Sequence, residues 1–359
     1  MMHGRDFNLS ACPVPGSDFG RVLTGHGSGG RMSADLIQKV FLAELGHSTS
    51  IALEDAATLM MSSPTGDQAA VRLAFTTDSF VVSPLFFPGG DIGRLAVHGT
   101  VNDLAVAGAR PLYLAAAFIL EEGFEISLLR RIVASMRDAC AEAGVSLVTG
   151  DTKVVDRGKG DGVFITTTGI GVHRSDCHLS IAGARPGDRV IVSGTMGDHG
   201  VTILSTREGI EFETALESDT AALNDLTQVM LNACPSIRAM RDPTRGGLSS
   251  TLNELAAASG VGIVLQESAI PVRAEVHSAC ELLGLDPLHV ANEGKLVVVV
   301  PPDRTEFLLE VMQAHPLGRK AAAIGEVVAD HPGMVVMHSL IGGHRVVTML
   351  AGEQLPRIC

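Results

Sequence analysis

Four aspartates in this 359-residue sequence stand in settings suited to holding a metal or a phosphate. Asp78 lies in Thr76-Thr77-Asp78-Ser79, Asp103 in Gly99-Thr100-Val101-Asn102-Asp103, and Asp151 in Thr149-Gly150-Asp151-Thr152-Lys153. Asp242 opens Asp242-Pro243-Thr244-Arg245-Gly246-Gly247. The surrounding glycines and threonines place all four at strand ends or turns. Magnesium takes hard oxygen ligands and shares them with substrate phosphates. With Lys153 and Arg245 close by in sequence, the set predicts a metal–triphosphate site. Taken singly, an aspartate of this kind is an ordinary turn residue or helix cap. The combination carries the inference.

Gly25-His26-Gly27-Ser28-Gly29-Gly30 matches the dinucleotide pattern G-x-G-x-x-G, but hardly any strand precedes it and no acidic residue closes a βαβ unit. A glycine-rich turn entering a helix still offers free N–H groups to an anion, and a plain helix entry remains the alternative. Gly294-Lys295 lacks the upstream glycine of a Walker A loop, so any ATP is held without one. Asn292-Glu293-Gly294-Lys295 reads either as a solvated turn or as part of a site. His199, in Gly197-Asp198-His199-Gly200, is either a proton carrier or a turn histidine.

The sharpest signal is Pro356-Arg357-Ile358-Cys359. Prenylation needs the cysteine fourth from the end. An exposed terminal thiol oxidises easily. A nine-residue tail, Ala351 to Cys359, reaches roughly 30 Å at ~3.3 Å per residue, enough to carry a thiol-bound group between sites. The neighbouring α-carboxylate is expected to raise the thiol pKa, with Arg357 partly offsetting it.

Positioning these groups requires a sizeable scaffold. Leu36, Ile37, Val40, Phe41 and Leu45 recur at helical spacing behind Ser33, predicting a helix over Ser33–Leu45. Leu129, Ile132, Val133, Met136 and Cys140 predict a second over Ser127–Ala143, ended by Gly144. Leu73–Phe87 reads as strand, Ser146–Thr149 as a short buried strand, and Phe164–Val172 as another. Gly183-Ala184-Arg185-Pro186-Gly187-Asp188 is a turn cluster ahead of a strand over Arg189–Ser193. Beyond it, helices are expected at Thr251–Ser259 and Glu275–Leu283, and strands at Gly262–Gln266 and Lys295–Val300. The mixture indicates an α/β and α+β chain of two domains.

Composition bounds the rest. The net charge of −13, from 27 basic and 40 acidic residues, argues against duplex binding, which needs a basic stripe. The apolar stretch Ala105–Leu120 is broken by Arg110 and Pro111, so no membrane span is expected. Residues 1–24 lack a signal-peptide order, and the six scattered cysteines make neither a zinc site nor a disulfide framework. A cytoplasmic protein is expected, with Cys140 buried in its helix.

From Gly25 to Cys359 the chain resembles the HypE family of [NiFe]-hydrogenase maturation, within the PurM/AIR-synthetase superfamily. The resemblance rests on the motifs above, on Pro84-Leu85-Phe86-Phe87-Pro88-Gly89-Gly90, and on the terminal Pro356-Arg357-Ile358-Cys359. It implies a PurM-like two-domain fold: a variable extension over 1–24, an N-terminal α/β domain over 25–182 that dimerises through its strands, an α+β domain over 183–350 and a mobile tail over 351–359. It implies ATP and Mg2+ as cofactors. The metal would be held by Asp78, Asp103 and Asp151, and the nucleotide by these with Gly27, Gly29, Gly30, Asn102, Thr152, Asp242 and Arg245. A carbamoyl group placed on Cys359 by the carbamoyltransferase HypF would be dehydrated to a cyanide. A HypC–HypD complex would then accept the cyanide. Lys153 would stabilise the transferring phosphoryl group and Glu293 would serve as base. The rival readings are another ATP enzyme of the superfamily and a non-catalytic thiol carrier. Cys12, in Ala11-Cys12-Pro13, would be the reactive residue of a selenium enzyme.

Overall fold

The computed structural model describes residues 20–45, 53–62, 70–174, 176–210, 216–350, 352 and 357–359. Cys12 and most of the expected extension over 1–24 lie outside the described residues, as do residues 351 and 353–356 of the tail.

A helical run opens the described chain: α1 (Arg31–Leu36), a π-helical turn over Ile37–Leu42 and α2 (Ala43–Leu45). It begins two residues before the expected Ser33. Gly30 is the N-cap, and the Ser33 hydroxyl instead accepts from the Gly29 N–H at 2.9 Å. Its stripe of Ile37, Val40, Phe41 and Leu45 is exposed.

The first sheet follows. β1 (Ala57–Met61) and β2 (Val71–Phe80) lead through a short hairpin, β3 (Phe86–Phe87) and β4 (Gly90–Asp91), into α3 (Ile92–Val106). Then come β5 (Ala109–Glu121), α4 (Ile126–Ala143), β6 (Ser146–Val155) and β7 (Val163–His173). The spatial order is β1-β2-β7-β5-β6, antiparallel except for β5–β6, whose parallel pairing requires the α4 crossover. α4 buries Ile132, Met136, Ala139, Cys140 and Ala143 and ends at Gly144, whose φ of 67° suits a glycine. Val133, expected in the stripe, is exposed on its far side.

The strand expected over Leu73–Phe87 stops at Phe80, where the chain leaves the sheet for the cleft. The short buried strand expected at Ser146–Thr149 is ten residues long and almost wholly exposed. It is the sheet edge and pairs with β5 alone.

The central element of this half is α3, which periodicity does not reveal. Asp91 caps it by accepting from the Gly93 and Arg94 N–H groups, at 2.8 and 3.1 Å. Thirteen of its 15 residues are buried. It packs against the sheet, α4 and the second domain together, so no polar face is left to mark it as amphipathic.

The second half contains β8 (Arg189–Val192), α5 (Asp198–Glu208), α6 (Asn224–Ala233), β9 (Ala239–Arg241) and α7 (Gly247–Ser259). After these come β10 (Gly262–Gln266), α8 (Ala274–Leu283), β11 (Val297–Val300), α9 (Thr305–Ala314), β12 (Ala322–Val328), β13 (Val335–His338) and β14 (His344–Val347). The order is β14-β13-β10-β12-β8-β11-β9. The Val-only β11 lies between β8 and the edge strand β9 and is buried on both faces, with Val297 and Val299 in one core and Val298 and Val300 in another, so an unbroken β-branched run is what that position demands.

The two halves are joined through Asn102 on α3. Its amide donates to the Ala221 and Glu293 carbonyls at 3.0 Å each and accepts from the Leu223 N–H at 2.8 Å. All three partners belong to the second domain.

α3 and α4 meet where Gly93 approaches the Ile132 carbonyl; a Cβ there would lie 2.5 Å from that oxygen. Gly93→Ala is therefore expected to lower unfolding stability by about 1–3 kcal/mol in urea titration. Unchanged stability would mean that α4 can move away freely.

Candidate active site

Three of the four aspartates, spread over 165 residues from Asp78 to Asp242, converge between the two sheets, while Asp151 does not. Asp78 lies within β2 on the α3 side of the sheet, Asp103 is in the last turn of α3, and Asp151 lies within β6. Asp242 alone leaves a strand end, immediately after β9. The expected turn positions fail for three of the four because strand-interior and buried-helix acids lack a local polar context.

Asp55, Asp103 and Asp242 each offer a carboxylate oxygen within 4.8 Å of the others. Asp78 lines the same cleft, of about 340 Å³, with Arg241, Arg245, Ser250, Glu254, Glu293 and Cys359 among its walls. Thr76 Oγ1 donates to Asp103 at 2.7 Å and to the Asp55 carbonyl at 2.9 Å, tying β2 to α3. Arg241 pairs with Asp55 at 2.9 Å and Glu254 at 3.1 Å.

Burial dominates the electrostatics and pushes every one of these carboxyls upward. Asp103 rises well above the carboxylate range by burial, reinforced by Asp78, Asp242 and Asp55. Asp55 rises likewise, opposed by Arg241. Asp78 rises by burial against the pull of Arg245. Asp242 is raised to about 6 by burial, with Arg241 opposing. Such crowding favours a bound cation over bare carboxylates. The donors are hard oxygens, and the buried Ser250 Oγ and Glu293 Oε1 have no hydrogen-bond partner, so the set fits Mg2+.

Glu293 is 3% exposed and its carboxyl is raised well above its usual value by burial and then by Asp242, Asp219 and Asp78. Its backbone is held from both sides. The Glu293 N–H donates to Asp219 at 3.0 Å, and its carbonyl accepts from Asn102. Lys295 pairs with the same Asp219 at 3.2 Å. Neighbouring Asn292 accepts from the Gly197 N–H at 2.7 Å and donates to the Pro243 carbonyl at 2.9 Å, so three motifs meet at one side chain. Asn102 thus positions Glu293, its amide groups all engaged with backbone.

The glycine turn packs on the Arg245 turn. Gly29 has φ 73°, and a Cβ there would lie 2.5 Å from the Arg245 carbonyl. Arg245 donates to the Gly27 carbonyl at 3.4 Å, and Gly30 caps α1. Gly27, Ser28 and Arg245 line a second cavity of about 200 Å³.

Cys359 lies between these two cavities and lines both. The end of the tail runs antiparallel to Val81–Ser83. The Val81 N–H donates to the Cys359 carbonyl at 3.0 Å and the Ser83 N–H to the Arg357 carbonyl at 3.2 Å. Arg357 pairs with Asp161 and donates to the Val81 carbonyl, so it does not face the thiol. The thiol is raised to about 12 chiefly by burial, and the cation that opposes this is Arg245 instead of the expected Arg357.

Asp151, Thr152 and Lys153 are not part of this cluster within one chain. Ser79, Thr166, Ala117 and Asp151 lie opposite one another along the first sheet, and directly opposed residues share a face. Ser79 faces away from its neighbour Asp78, so Asp151 and Lys153 are on the open face, with β7 and β5 between them and β2. There Lys153 bonds Asp151 at 2.8 Å and holds its carboxyl below the usual value.

Asp55 and Glu254 escaped the sequence reading. Asp55 has no glycine or threonine context, and Glu254 reads as one more helix-surface acid. Arg241, directly preceding Asp242, was the available signal of a buried counter-charge.

Two family models match the chain: AIR synthase related protein, N-terminal domain, over residues 54–173, and the C-terminal domain over 185–338. The chain is 58% identical to the carbamoyl dehydratase HypE of Cupriavidus necator over 95% of each protein. Among solved structures, it resembles a HypE–HypF complex chain with a TM-score of 0.81 at 48% identity, covering 88% of this chain and 99% of that one. It resembles a HypE in complex with ATP with a TM-score of 0.78 at 50% identity, covering 94% and 100%.

The raised Asp242 value has a definite consequence for stability. Its folded pKa of about 6 exceeds the unfolded value, so its contribution is greatest below about pH 4 and is lost as pH rises through 6. Asp242→Asn is expected to stabilise the metal-free chain at pH 7.5 by about 1–3 kcal/mol, with the gain vanishing near pH 4. Thermal melts at both pH values check this. Equal melting of variant and wild type at pH 7.5 would remove the crowding argument.

Proposed function

The chain belongs to the AIR synthase-related family and, within it, to the HypE carbamoyl dehydratases, and from that membership we propose that it dehydrates a carbamoyl group carried on its own Cys359. The observation that carries this reading is the position of the Cys359 thiol, in the wall shared by the acid-lined cavity and the glycine-lined one. A scaffold that used only its tail would have no reason to bury the thiol in a carboxyl-lined cleft beside Glu293 and Asp78.

The reaction converts an S-carboxamide and ATP into an S-cyanide, ADP and phosphate. Bound Mg-ATP supplies the phosphoryl group that makes the carbamoyl oxygen a leaving group and departs with it as phosphate. Cys359 Sγ holds the carbamoyl carbon throughout, so substrate and site meet as one molecule and no encounter is needed. The two protons leave the carbamoyl nitrogen. Glu293 is the base, since its buried, upward-shifted carboxyl has an unpartnered Oε1 facing the cleft. Asp55, Asp78, Asp103 and Asp242 hold the metal, and Arg245 with Gly27, Gly29 and Gly30 holds phosphate. The tail exchanges this docked position for an exposed one in which HypF loads the thiol. A HypC–HypD complex collects the cyanide.

Lys153 and Asp151 come from a second copy. The open face of the first sheet has nothing over it among the described residues. Phe75, Ile170 and Tyr113 form one exposed apolar row across β2, β7 and β5, at 40, 38 and 51% exposure, and Ile119 on β5, opposite Lys153, is exposed as well. An uncovered apolar sheet face of this extent is characteristic of an isologous interface. The polar end of the same face carries Thr77, Ser79, Thr166, Thr168, Asp151 and Lys153, so pairing two copies places Lys153 of one against the cleft mouth of the other.

Intact-protein mass spectrometry with carbamoyl phosphate, Mg-ATP and HypF tests the reading. The expected result is a carbamoyl adduct that loses one water only as ATP is consumed and is absent in Cys359→Ala. No adduct on Cys359 under any condition would overturn it. Glu293→Gln is expected to keep the adduct and slow water loss by about 100-fold or more.

Mixing Cys359→Ala with Lys153→Ala chains tests the second copy's part. If Lys153 acts across the interface, hybrid dimers regain one competent site in two, and turnover recovers to about a quarter of wild type. No recovery would put Lys153 to work in its own chain.

A further inference from the structure

The docked tail bridges both halves of the molecule by alternation. Its Arg357 and Cys359 carbonyls accept from the Ser83 and Val81 N–H groups of the first domain. The intervening Ile358 carbonyl turns the other way, toward the second domain, and meets His199 Nε2 at 2.8 Å. His199 is fully buried at the start of α5 and stands edge-on to Phe87, with ring centroids 5.7 Å apart. Its Nδ1 lies 2.7 Å from Ser218 Oγ, and that oxygen already accepts from the Thr220 N–H at 3.2 Å. Ser218 therefore gives its own proton to Nδ1, and since a carbonyl only accepts, Nε2 carries the ring proton. One directional chain results, running from Thr220 through Ser218 and His199 to the peptide that joins Ile358 to Cys359.

We propose that His199 is the positioning residue that sets the depth at which the tail enters the cleft and so aims the Cys359 thiol between the two cavities. Val81 and Ser83 define the line of the tail through a two-residue repeat, but such pairing tolerates a slip by two residues. His199 removes that freedom, because its ring is locked by Phe87 and Ser218 and offers one donor at one point. Arg207, which donates to the Ser83 and Arg357 carbonyls at 2.7 and 2.9 Å, closes the outer end. The importance of this latch rests on the reading of Cys359 as the carrier, but docking itself can be measured without any carbamoyl chemistry.

The test is alkylation of the nucleotide-free chain by N-ethylmaleimide, in a Cys12→Ser background, with labelled sites located by fragmentation of the intact protein. Cys359 in His199→Ala is expected to react about five- to fifty-fold faster than with His199 present, the range for loss of one buried donor. Cys140, Cys177, Cys234 and Cys280 are expected to stay protected. His199→Gln, which restores an N–H donor, is expected to recover most of the protection. Cys359 staying as protected in the folded His199→Ala chain as with His199 present would overturn the proposal. So would release of all five thiols together in both variants, which would make His199 a core residue alone. As a second readout, His199→Ala is expected to lower the melting temperature more in the full chain than in one truncated after Pro356. An equal drop in both would equally overturn it. Failure of carbamoylation with Cys359 protection still dependent on His199 would instead count against the proposed function and leave the latch standing.

Discussion

The cost of confining like charge governs this molecule. Carboxyl groups on Asp55, Asp78, Asp103, Asp242, Glu254 and Glu293 line one cleft together with Arg241 and Arg245. Burial destabilises the charged form of each, and neighbouring carboxyls add to this at Asp55, Asp103, Asp242 and Glu293. That arrangement persists because each acid is anchored on a different rigid element. Asp78 lies on a strand, Asp103 on a helix buried on nearly every side, Asp242 at a strand end and Glu293 in a turn stitched by Asn102, Asn292 and Asp219. A site so far from electrostatic balance favours the binding of a cation.

The same confinement explains how the thiol is handled. Burial raises its pKa to about 12, Glu293 and Asp78 add to this, and Arg245 acts in the other direction. Buried in the cleft, the protonated thiol is a poor nucleophile. In the proposed reaction, loading it requires an exposed position, and chemistry on the loaded group the buried one. The tail is held by a few hydrogen bonds, the Arg357–Asp161 ion pair and the burial of Ile358 and Cys359, few enough to be exchanged.

The first sheet separates two tasks by its pleat. Its α3 face carries Asp78 into the cleft, while its open face carries Asp151 and Lys153 with an apolar row. Alternation along a strand puts these residues on opposite sides of one layer, and in the proposed pairing of two copies the layers bring them together.

Much of this was legible in the sequence, for identifiable reasons. The strand positions of Gly262–Gln266 and Val297–Val300, the helix over 126–143 and the mixed two-part fold follow from local periodicity, which depends on each element having one distinct face or two buried ones. The motif residues could be chosen from their chemistry, and Cys359 from its setting. The helix carrying Asn102 and Asp103 was hidden because enclosure on all sides erases the periodic signal. Asp55 was hidden because an acid before a strand resembles any other. Which acids meet, which face of the sheet bears Asp151, and which arginine attends the thiol are matters of register and packing between residues up to some hundreds of positions apart. No local pattern encodes those distances, so the tertiary structure alone decided them.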